Sequence, residues 1–269
     1  MSKNRFIDAI WQPLLKQNLN QKIYGFWDVV CKYNPNGERC FNYNFLILKT
    51  KHQGVAYYTD KLSHQDVAFI VGNRVSEVKI KHTGLQLALI DSLASKRKPD
   101  EIITLHGDSL QKSIRRAEII ADYANKLLAE TSGDKEIDFL NVGVVTLIMK
   151  KLADKGYIVK GCDFDETIIN NGKHMLPIYS GQQTLDLIKH SKVAIVTGMT
   201  MTNGTIIDIV RVAKENKTKI IMFNETGASL TTYLFDLGVD IVIAEPFPFY
   251  IYDDITKIEV HINKVMRKD

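Results

Sequence analysis

The sequence predicts an α/β protein with a Rossmann-like open parallel sheet in its C-terminal part and a smaller N-terminal α+β domain. From residue 137 onward, apolar runs of strand length alternate with helical patterns, which is the order of parallel strands joined by helical crossovers. Before residue 100, apolar residues come in short bursts between turn signals, which is typical of antiparallel strands. We therefore predict domains at residues 1–100 and 137–269, with a linking helix region at residues 101–136.

The N-terminal domain is predicted to combine two helices with a small antiparallel sheet. Apolar residues recur at helical spacing from Phe6 to Leu15, so the chain should begin with an amphipathic helix. Gly84 to Leu93 has the composition of a buried helix. Turn sequences at residues 34–37 and 52–54 separate the predicted strands. These strands are expected at residues 24–30, 41–48, 55–58 and 67–71.

The remaining elements are a long helix and then a regular alternation. The long helix is predicted at residues 109–130, with Ser109 as its cap. Beyond Glu136, strands and helices alternate, and right-handed crossovers between them give an open doubly wound sheet. The strands are expected at residues 137–142, 157–162, 193–197, 219–223 and 239–244. The helices between them are expected at residues 144–154, 182–189, 205–215 and 231–237.

Composition and charge argue against several classes of protein. Basic residues exceed acidic ones by 35 to 31 and are scattered in short clusters, so no nucleic-acid binding is predicted. The longest apolar runs are far shorter than the roughly 20 residues that span a bilayer, so no membrane insertion is predicted. The chain has 3 cysteines, and its opening segment lacks the features of a secretory signal. We therefore expect a reduced, cytoplasmic protein.

Polar residues follow every strand of the predicted parallel sheet, at the edge where open α/β sheets bind ligands. The segment from Thr197 to Thr205 is the most informative, because its glycines expose backbone N–H groups and the following helix offers its N-terminus to an anion. A phosphate or carboxylate would suit this segment, and the alternative is a tight strand-to-helix turn without a ligand. The residues predicted to contact a ligand or cofactor are Gly143, Asp163, Thr197, Gly198, Thr200, Asn203, Gly204, Thr205, Asn224 and Thr226.

Acidic residues in the same loops are candidates for catalysis and metal binding. We predict Glu225 and Asp165 as general acid or base groups. Asp163, Asp165 and His174 supply oxygen and nitrogen donors for a divalent metal, with a solvated acidic loop as the alternative. About 20 residues separate Gly143 from Asp163, as in dinucleotide sites, but the other glycines of that fingerprint are absent. NAD is therefore not predicted, whereas S-adenosylmethionine, with Asp163 or Asp165 on its ribose, stays open.

The segment from Cys162 to Thr167 resembles the D-x-D-x-T nucleophile motif of the haloacid-dehalogenase-like phosphatases. This resemblance implies phosphoryl transfer to Asp163, with Thr197 binding phosphate and a downstream acidic pair holding magnesium. Glu245 supplies a single carboxylate at the place of that pair.

A second resemblance covers about residues 193–246. The pattern T-G-x-T-x-x-N-G-T from Thr197, followed by L-F-x-x-G-V-D from Leu234, is similar to a domain-of-unknown-function family described as heavy-metal chelation proteins. This resemblance implies an enolase-N-terminal-like domain, a Rossmann-like domain and a cleft between them that binds a metal, a metal chelate or a small metabolite. The Thr197 and Asn224 loops would line that cleft. The chain departs from similar members at Asn224 to Gly227, where Glu225 adds a carboxylate.

Two functional hypotheses follow, and whether a reaction is catalysed stays open. The first is a protein that binds a small molecule, a metal or a metal chelate, or an accessory enzyme of metal or metallophore metabolism. The alternative is an enzyme that uses an adenosine-containing cofactor such as S-adenosylmethionine in small-metabolite biosynthesis. The aromatic cluster from Phe247 to Tyr252 is interpreted as closing the domain cleft or forming a homodimer contact.

Overall fold

The computed structural model describes residues 4–33, 41–172 and 176–264 of the chain. Contacts divide the chain into two compact units. The first unit contains Met1–Lys98, Gly198–Gly204 and Asn224–Tyr233, and the second contains Pro99–Thr197, Thr205–Phe223 and Leu234–Asp269. His174 and the turn predicted at residues 34–37 lie outside the described residues.

Helices and strands follow one another along the chain with short connections. The helices are α1 (Arg5–Gln17), α2 (His64–Val67), α3 (Thr83–Leu93), α4 (Ser109–Leu128), α5 (Thr146–Ala153), α6 (Glu166–Gly172), α7 (Thr184–Lys189), α8 (Met199–Thr202), α9 (Ile206–Glu215) and α10 (Thr231–Leu237). The strands are β1 (Gly25–Tyr33), β2 (Phe41–Lys49), β3 (Gln53–Tyr57), β4 (Glu101–Leu105), β5 (Ile137–Val142), β6 (Val159–Asp163), β7 (Ile178–Ser180), β8 (Ser191–Thr197), β9 (Lys219–Asn224), β10 (Ile241–Ala244) and β11 (Thr256–Ile262).

The first unit contains an antiparallel sheet in the order β1-β2-β3. The amphipathic helix predicted at the start of the chain is α1, where the side chain of Asn4 accepts a hydrogen bond from the N–H of Ile7 and caps the helix. Its apolar stripe buries Phe6, Ile10 and Leu14. The predicted buried helix is α3, which packs against β2 and β3. Both helix predictions are confirmed.

The strand predicted at residues 67–71 is wrong. After α2 the chain folds into turns, in which the N–H of Ala68 donates to the carbonyl of His64 and Asn73 Nδ2 donates to the carbonyl of Phe69. Phe69 is 81% exposed, so its apolar side chain does not mark a half-buried strand. Local side-chain and backbone hydrogen bonds compete with strand pairing, and here the turn bonds prevail over β propensity.

The second unit contains a mixed eight-stranded sheet in the order β4-β11-β10-β9-β8-β5-β6-β7. β5 pairs parallel with β6 and β8, β8 pairs parallel with β9, and β6 pairs parallel with β7. All five predicted strands are present, with ends that differ by at most two residues. The predicted α/β class with a mostly parallel sheet is confirmed, although the sheet is larger than predicted.

Three strands of this sheet, β4, β7 and β11, were not predicted. β4 lies at the sheet edge with Ile102 56% exposed, so its apolar residues do not alternate with a buried face. β7 is 3 residues long, which is too short to establish a period. β11 follows the last crossover and pairs antiparallel with β10 and β4, outside the strand–helix alternation that predicted the other strands.

The long helix α4 belongs to the second unit and buries one face in its core. Its cap is Asp108 and not the predicted Ser109, because the Asp108 side chain accepts from the N–H of Gln111 while the Gln111 side chain accepts from the N–H of Asp108. This reciprocal capping box satisfies two backbone donors at once. Among the helices of the described residues, none has both the length and the apolar composition required to cross a membrane.

Candidate functional site

The turn after β5 is held in place by the side chain of Asn141. Its Oδ1 accepts from the N–H of Val145 at 2.7 Å, and its Nδ2 donates to the carbonyls of Gly143 at 3.2 Å and Ile195 at 3.1 Å. Asn141 is 1% exposed, so these bonds replace water for a buried amide. This strand end is therefore closed by hydrogen bonds within the second unit.

Gly143 has a structural reason to be glycine. Its φ is +74°, in the left-handed region, and a Cβ added there would lie 2.2 Å from Thr197 Oγ1. Gly143 and Thr197, both predicted ligand residues, are therefore in direct contact. The close approach to the Thr197 hydroxyl accounts for the glycine at this position, and no bound molecule is needed to explain it.

Asp163 and Asp165 organise the turn that leads into α6. Asp163 accepts from the N–H of Val144 through Oδ2 at 2.8 Å and from the N–H of Asp165 through Oδ1 at 2.9 Å. Asp165 Oδ1 accepts from the N–H of Thr167 at 2.8 Å. Each carboxylate thus receives backbone donors in the manner of helix caps and Asx turns. The third predicted metal ligand, His174, lies outside the described residues.

Glu245, which directly follows β10, forms a buried ion pair. Its Oε2 lies 2.8 Å from Nη1 of Arg116, and its Oε1 accepts from the N–H of Tyr250 at 2.7 Å. The Arg116 guanidinium also lies 3.9 Å from the ring centroid of Tyr250 and 4.9 Å from that of Phe223. The Glu245 side chain is 0% exposed. This carboxylate therefore holds the segment after β10 and is not available to a magnesium ion in this arrangement.

Two segments that follow strands of the parallel sheet, Gly198–Gly204 and Asn224–Tyr233, belong to the first unit and cover the outer edge of β3. The N–H of Gly227 donates to the carbonyl of Val55 at 3.0 Å. Tyr57 donates its N–H to Thr226 Oγ1 at 3.0 Å, and its carbonyl accepts from Thr202 Oγ1 at 3.1 Å. Because an edge strand exposes unpaired backbone groups, these contacts complete the hydrogen bonding of β3.

Asp91, in the last turn of α3, completes the same arrangement. Its Oδ2 accepts from the N–H of Val55 and its Oδ1 from the N–H of Ser229, both at 2.8 Å. Asp91 is 1% exposed. Burial raises the pKa of this carboxyl to about 6, against the opposing effect of the two backbone donors. Asp91 therefore ties β3 to the segment that begins at Asn224.

At Gly198, the first residue after β8, there is no space for a side chain. Its φ of −59° is open to any residue. A Cβ added to it would lie 2.8 Å from the carbonyl oxygen of Thr226 and 3.4 Å from Asn224 Oδ1. The absent side chain therefore lets the two segments of the first unit approach each other, and it leaves bare backbone beside the Asn224 amide.

Asn224 differs from most buried polar residues of these segments. It is 0% exposed, and neither its Oδ1 nor its Nδ2 has a hydrogen-bond partner among the described residues. The buried Thr231 Oγ1 of the same segment also lacks a partner there. Most buried polar side-chain atoms in proteins are paired, so a side chain with both groups unpaired requires an explanation.

Glu225 follows Asn224 in the chain, and Tyr57 belongs to the same unit, where its N–H donates to Thr226 Oγ1. The pKa of the Tyr57 phenol is raised to about 12, first by burial and then by the negative charge of Glu225. The phenol therefore stays protonated at neutral pH. Tyr57 and Asp91 were not among the predicted site residues, although an aspartate inside the apolar helix sequence GLQLALIDSL is a visible signal.

The predicted site residues are distributed over both units. Thr200 is buried, Asn203 is exposed, and Gly204 has a φ of +77° with Asn4 next to it. The second unit contains Gly143, Asp163, Asp165, Thr197 and Thr205, and the first contains Gly198, Thr200, Asn203, Gly204, Asn224, Glu225 and Thr226.

Comparison with known proteins supports the predicted family. Residues 134–244 match the model of the family DUF364, described as "Putative heavy-metal chelation". No curated protein matches the chain. A DUF364 protein of unknown function from Desulfitobacterium hafniense DCB-2 is similar over 95% of this chain and 99% of its own, with a TM-score of 0.56 and 8% identity. At that identity the likeness shows the fold alone.

Two further solved structures are less similar. A DUF364 protein from Pyrococcus horikoshii matches over 96% of this chain and 99% of its own, with a TM-score of 0.47 and 12% identity. Magnesium protoporphyrin IX methyltransferase from Synechocystis PCC 6803 with bound SAM matches over 56% and 83%, with a TM-score of 0.38 and 17% identity. The family model confirms the resemblance predicted from the sequence, with residues 134–244 matching the family DUF364.

Proposed function

We propose that the protein binds a small organic molecule or an organic metal chelate through the segment of the first unit that begins at Asn224. The observation that carries this proposal is the buried Asn224 amide, which has no hydrogen-bond partner among the described residues. Leaving a buried donor or acceptor unpaired costs about 1–3 kcal/mol per group. Sequences retain such costs chiefly at functional sites, where a ligand supplies the missing partners.

A heavy-metal ion bound directly by side chains does not fit the described residues. They contain no group of three or more His, Cys, Asp or Glu side chains that could hold a metal ion. Asp163, a predicted ligand, already accepts a backbone hydrogen bond through each of its carboxylate oxygens. An organic chelate fits the family description better, because the chelator holds the metal and the protein contacts the chelator.

Glu225 is the group in this segment with the capacity for acid–base chemistry. It acts electrostatically on the Tyr57 phenol, whose pKa of about 12 keeps it a hydrogen-bond donor at neutral pH. We propose that both groups contact the ligand, with Glu225 in the role of general acid or base if a reaction occurs. The Asn224 amide is fully buried, so a ligand reaches it only when the residues packed against it move.

The experiment is thermal unfolding of the purified protein with millimolar Ni²⁺, the Ni²⁺–glycylglycine complex and S-adenosylmethionine. A ligand that binds the native state raises the melting temperature. We expect the Ni²⁺–glycylglycine complex to raise it in the wild type and not in Asn224→Leu. Without a ligand, Asn224→Leu should be more stable than the wild type by about 1 kcal/mol, because it removes two unpaired buried groups.

Asn18→Leu is the matched control for this experiment. Asn18 is a buried asparagine of the same unit, but its Nδ2 donates to the carbonyl of Leu14 at 2.8 Å. We expect this variant to melt at a lower temperature and to keep the response to the chelate. A wild type that responds to none of the three probes would contradict the proposal. A response to S-adenosylmethionine that requires Asp163 would favour the cofactor-dependent enzyme instead.

A further inference from the structure

The chemistry around Asn224 also restricts the class of ligand, and this step rests on the proposed function. We infer that the ligand presents to Asn224 a neutral edge with a hydrogen-bond donor next to an acceptor, as in a carboxamide, and not a carboxylate or a phosphate. The reasons are the two unpaired groups of the amide, the charge of the surrounding segments and the bare backbone at Gly198.

The first reason is the hydrogen-bonding requirement of the amide. One atom of the Asn224 side chain donates and the other accepts, and both are unpaired among the described residues. A carboxamide edge satisfies both groups with two parallel bonds, as asparagine does with an adenine edge. Exchanging the nitrogen and oxygen positions of the amide would still leave one donor and one acceptor.

The second reason is charge. The segments 198–204 and 224–233 contain Glu225 as their one charged residue and no Lys, Arg or His. The carboxylate of Glu225 contributes, after burial, to raising the pKa of Tyr57. A carboxylate or phosphate beside Asn224 would have acceptor oxygens facing the amide oxygen and Glu225, without a cation from these segments to compensate. A desolvated anion without a compensating charge is strongly disfavoured.

The third reason concerns the space next to the amide. Gly198 presents bare backbone towards Asn224, since a Cβ there would lie 3.4 Å from Oδ1. The helix N-terminus for which the sequence predicted anion binding is that of α9, which begins at Ile206 and not at Gly198. The helix that follows Gly198, α8, contains only 4 residues, so the charge at its N-terminus is small. Gly198 therefore places backbone, and no charged side chain, next to the amide.

The test uses benzamide and benzoate, which are nearly identical in shape and differ in charge, together with inorganic phosphate. Binding is measured by NMR titration of the wild-type protein, with the side-chain NH₂ signals of Asn224 as the reporter. We expect benzamide to shift these signals and to bind at least about tenfold more tightly than benzoate or phosphate, a difference of about 1.4 kcal/mol.

Two variants distinguish a specific contact from general binding. Asn224→Asp keeps the shape but removes the donor, and should lose benzamide binding by about tenfold or more. Glu225→Gln removes the charge, and should strengthen benzoate binding relative to benzamide binding. This second variant keeps the test valid if Asn224→Asp is unstable.

Tighter binding of benzoate or phosphate through Asn224 would overturn the inferred ligand class and leave the proposed function standing. The inferred ligand class would also be overturned if none of the three probes shifted the Asn224 signals while the response to the Ni²⁺–glycylglycine complex still depended on Asn224. If none of the probes raised the melting temperature in the thermal-unfolding experiment either, the proposed function itself would be contradicted.

Discussion

Two buried asparagines near the carboxyl ends of parallel strands, Asn141 in β5 and Asn224 in β9, have opposite surroundings. Asn141 makes three hydrogen bonds and closes the turn that follows its strand. Asn224 is as deeply buried, yet both of its amide groups are unpaired among the described residues. We therefore expect the first asparagine to stabilise the fold and the second to lower its stability. The same residue type at similar strand ends thus has a structural role in one place and a proposed binding role in the other.

The largest expected effect concerns Glu245. Both of its carboxylate oxygens have partners at the end of β10, as the Asn141 amide has at the end of β5. Glu245→Ala leaves the buried Arg116 guanidinium without its paired carboxylate, and should lower the free energy of unfolding by about 4 kcal/mol. Denaturant unfolding measures this loss. Arg116→Met in the same chain should restore part of it, because no buried charge is then left uncompensated. Equal stability of the single and double variants would indicate that burial of the charge is not the cause.

The next effect concerns Asp91, whose carboxyl titrates with a pKa of about 6 in place of the ordinary 3.8. A raised carboxyl pKa favours the folded state while the group is protonated. This contribution is fully present below pH 3.8 and is lost as the pH rises through about 6.

The wild type should therefore lose about 3 kcal/mol relative to Asp91→Asn between pH 4 and pH 7. Urea unfolding of both proteins across this range measures the difference, and all other carboxyls cancel between them. Parallel pH profiles would mean that the two backbone donors, from Val55 and Ser229, hold the carboxyl ionised. The hydrogen bonds of the Asp91 carboxylate would then offset its burial, as the hydrogen bonds of the Asn141 amide do.

The smallest effect tests the comparison directly through Asn141→Leu. This change leaves the N–H of Val145 and the carbonyl of Ile195 without the Asn141 amide, and should lower the free energy of unfolding by about 2 kcal/mol. The same substitution at Asn224 is expected to act in the opposite direction. If both variants lose stability equally, the Asn224 amide is paired in solution and the comparison fails.

Much of the second unit could be predicted from the sequence, because its parallel strands have a regular period. The five strands from Ile137 to Ala244 were recognised from short apolar runs separated by helical patterns. The strands β4 and β11 were not recognised, because they pair antiparallel outside that alternation. The strand predicted around Phe69 was wrong, because turn hydrogen bonds formed by nearby residues decide that segment.

The candidate site was only partly predictable. Asn224, Glu225, Gly198 and Thr226 were identified from their position after strands, and the structure gathers them in the first unit. Tyr57 was not identified, because it lies on a strand about 170 residues away in sequence, as its bond to Thr226 records. Long-range contacts of this kind have no local signal in a single sequence.

The sequence by itself determined the α/β class, the strand–helix alternation and the family, because periodicity and short motifs are local properties of the chain. Only the tertiary structure decided which polar residues are satisfied. Hydrogen bonding depends on distances between segments far apart in sequence, so Asn141 and Asn224 look alike in the sequence. Their difference arises from neighbours such as Ile195 and Gly198, which folding brings to one amide as a partner and to the other as bare backbone.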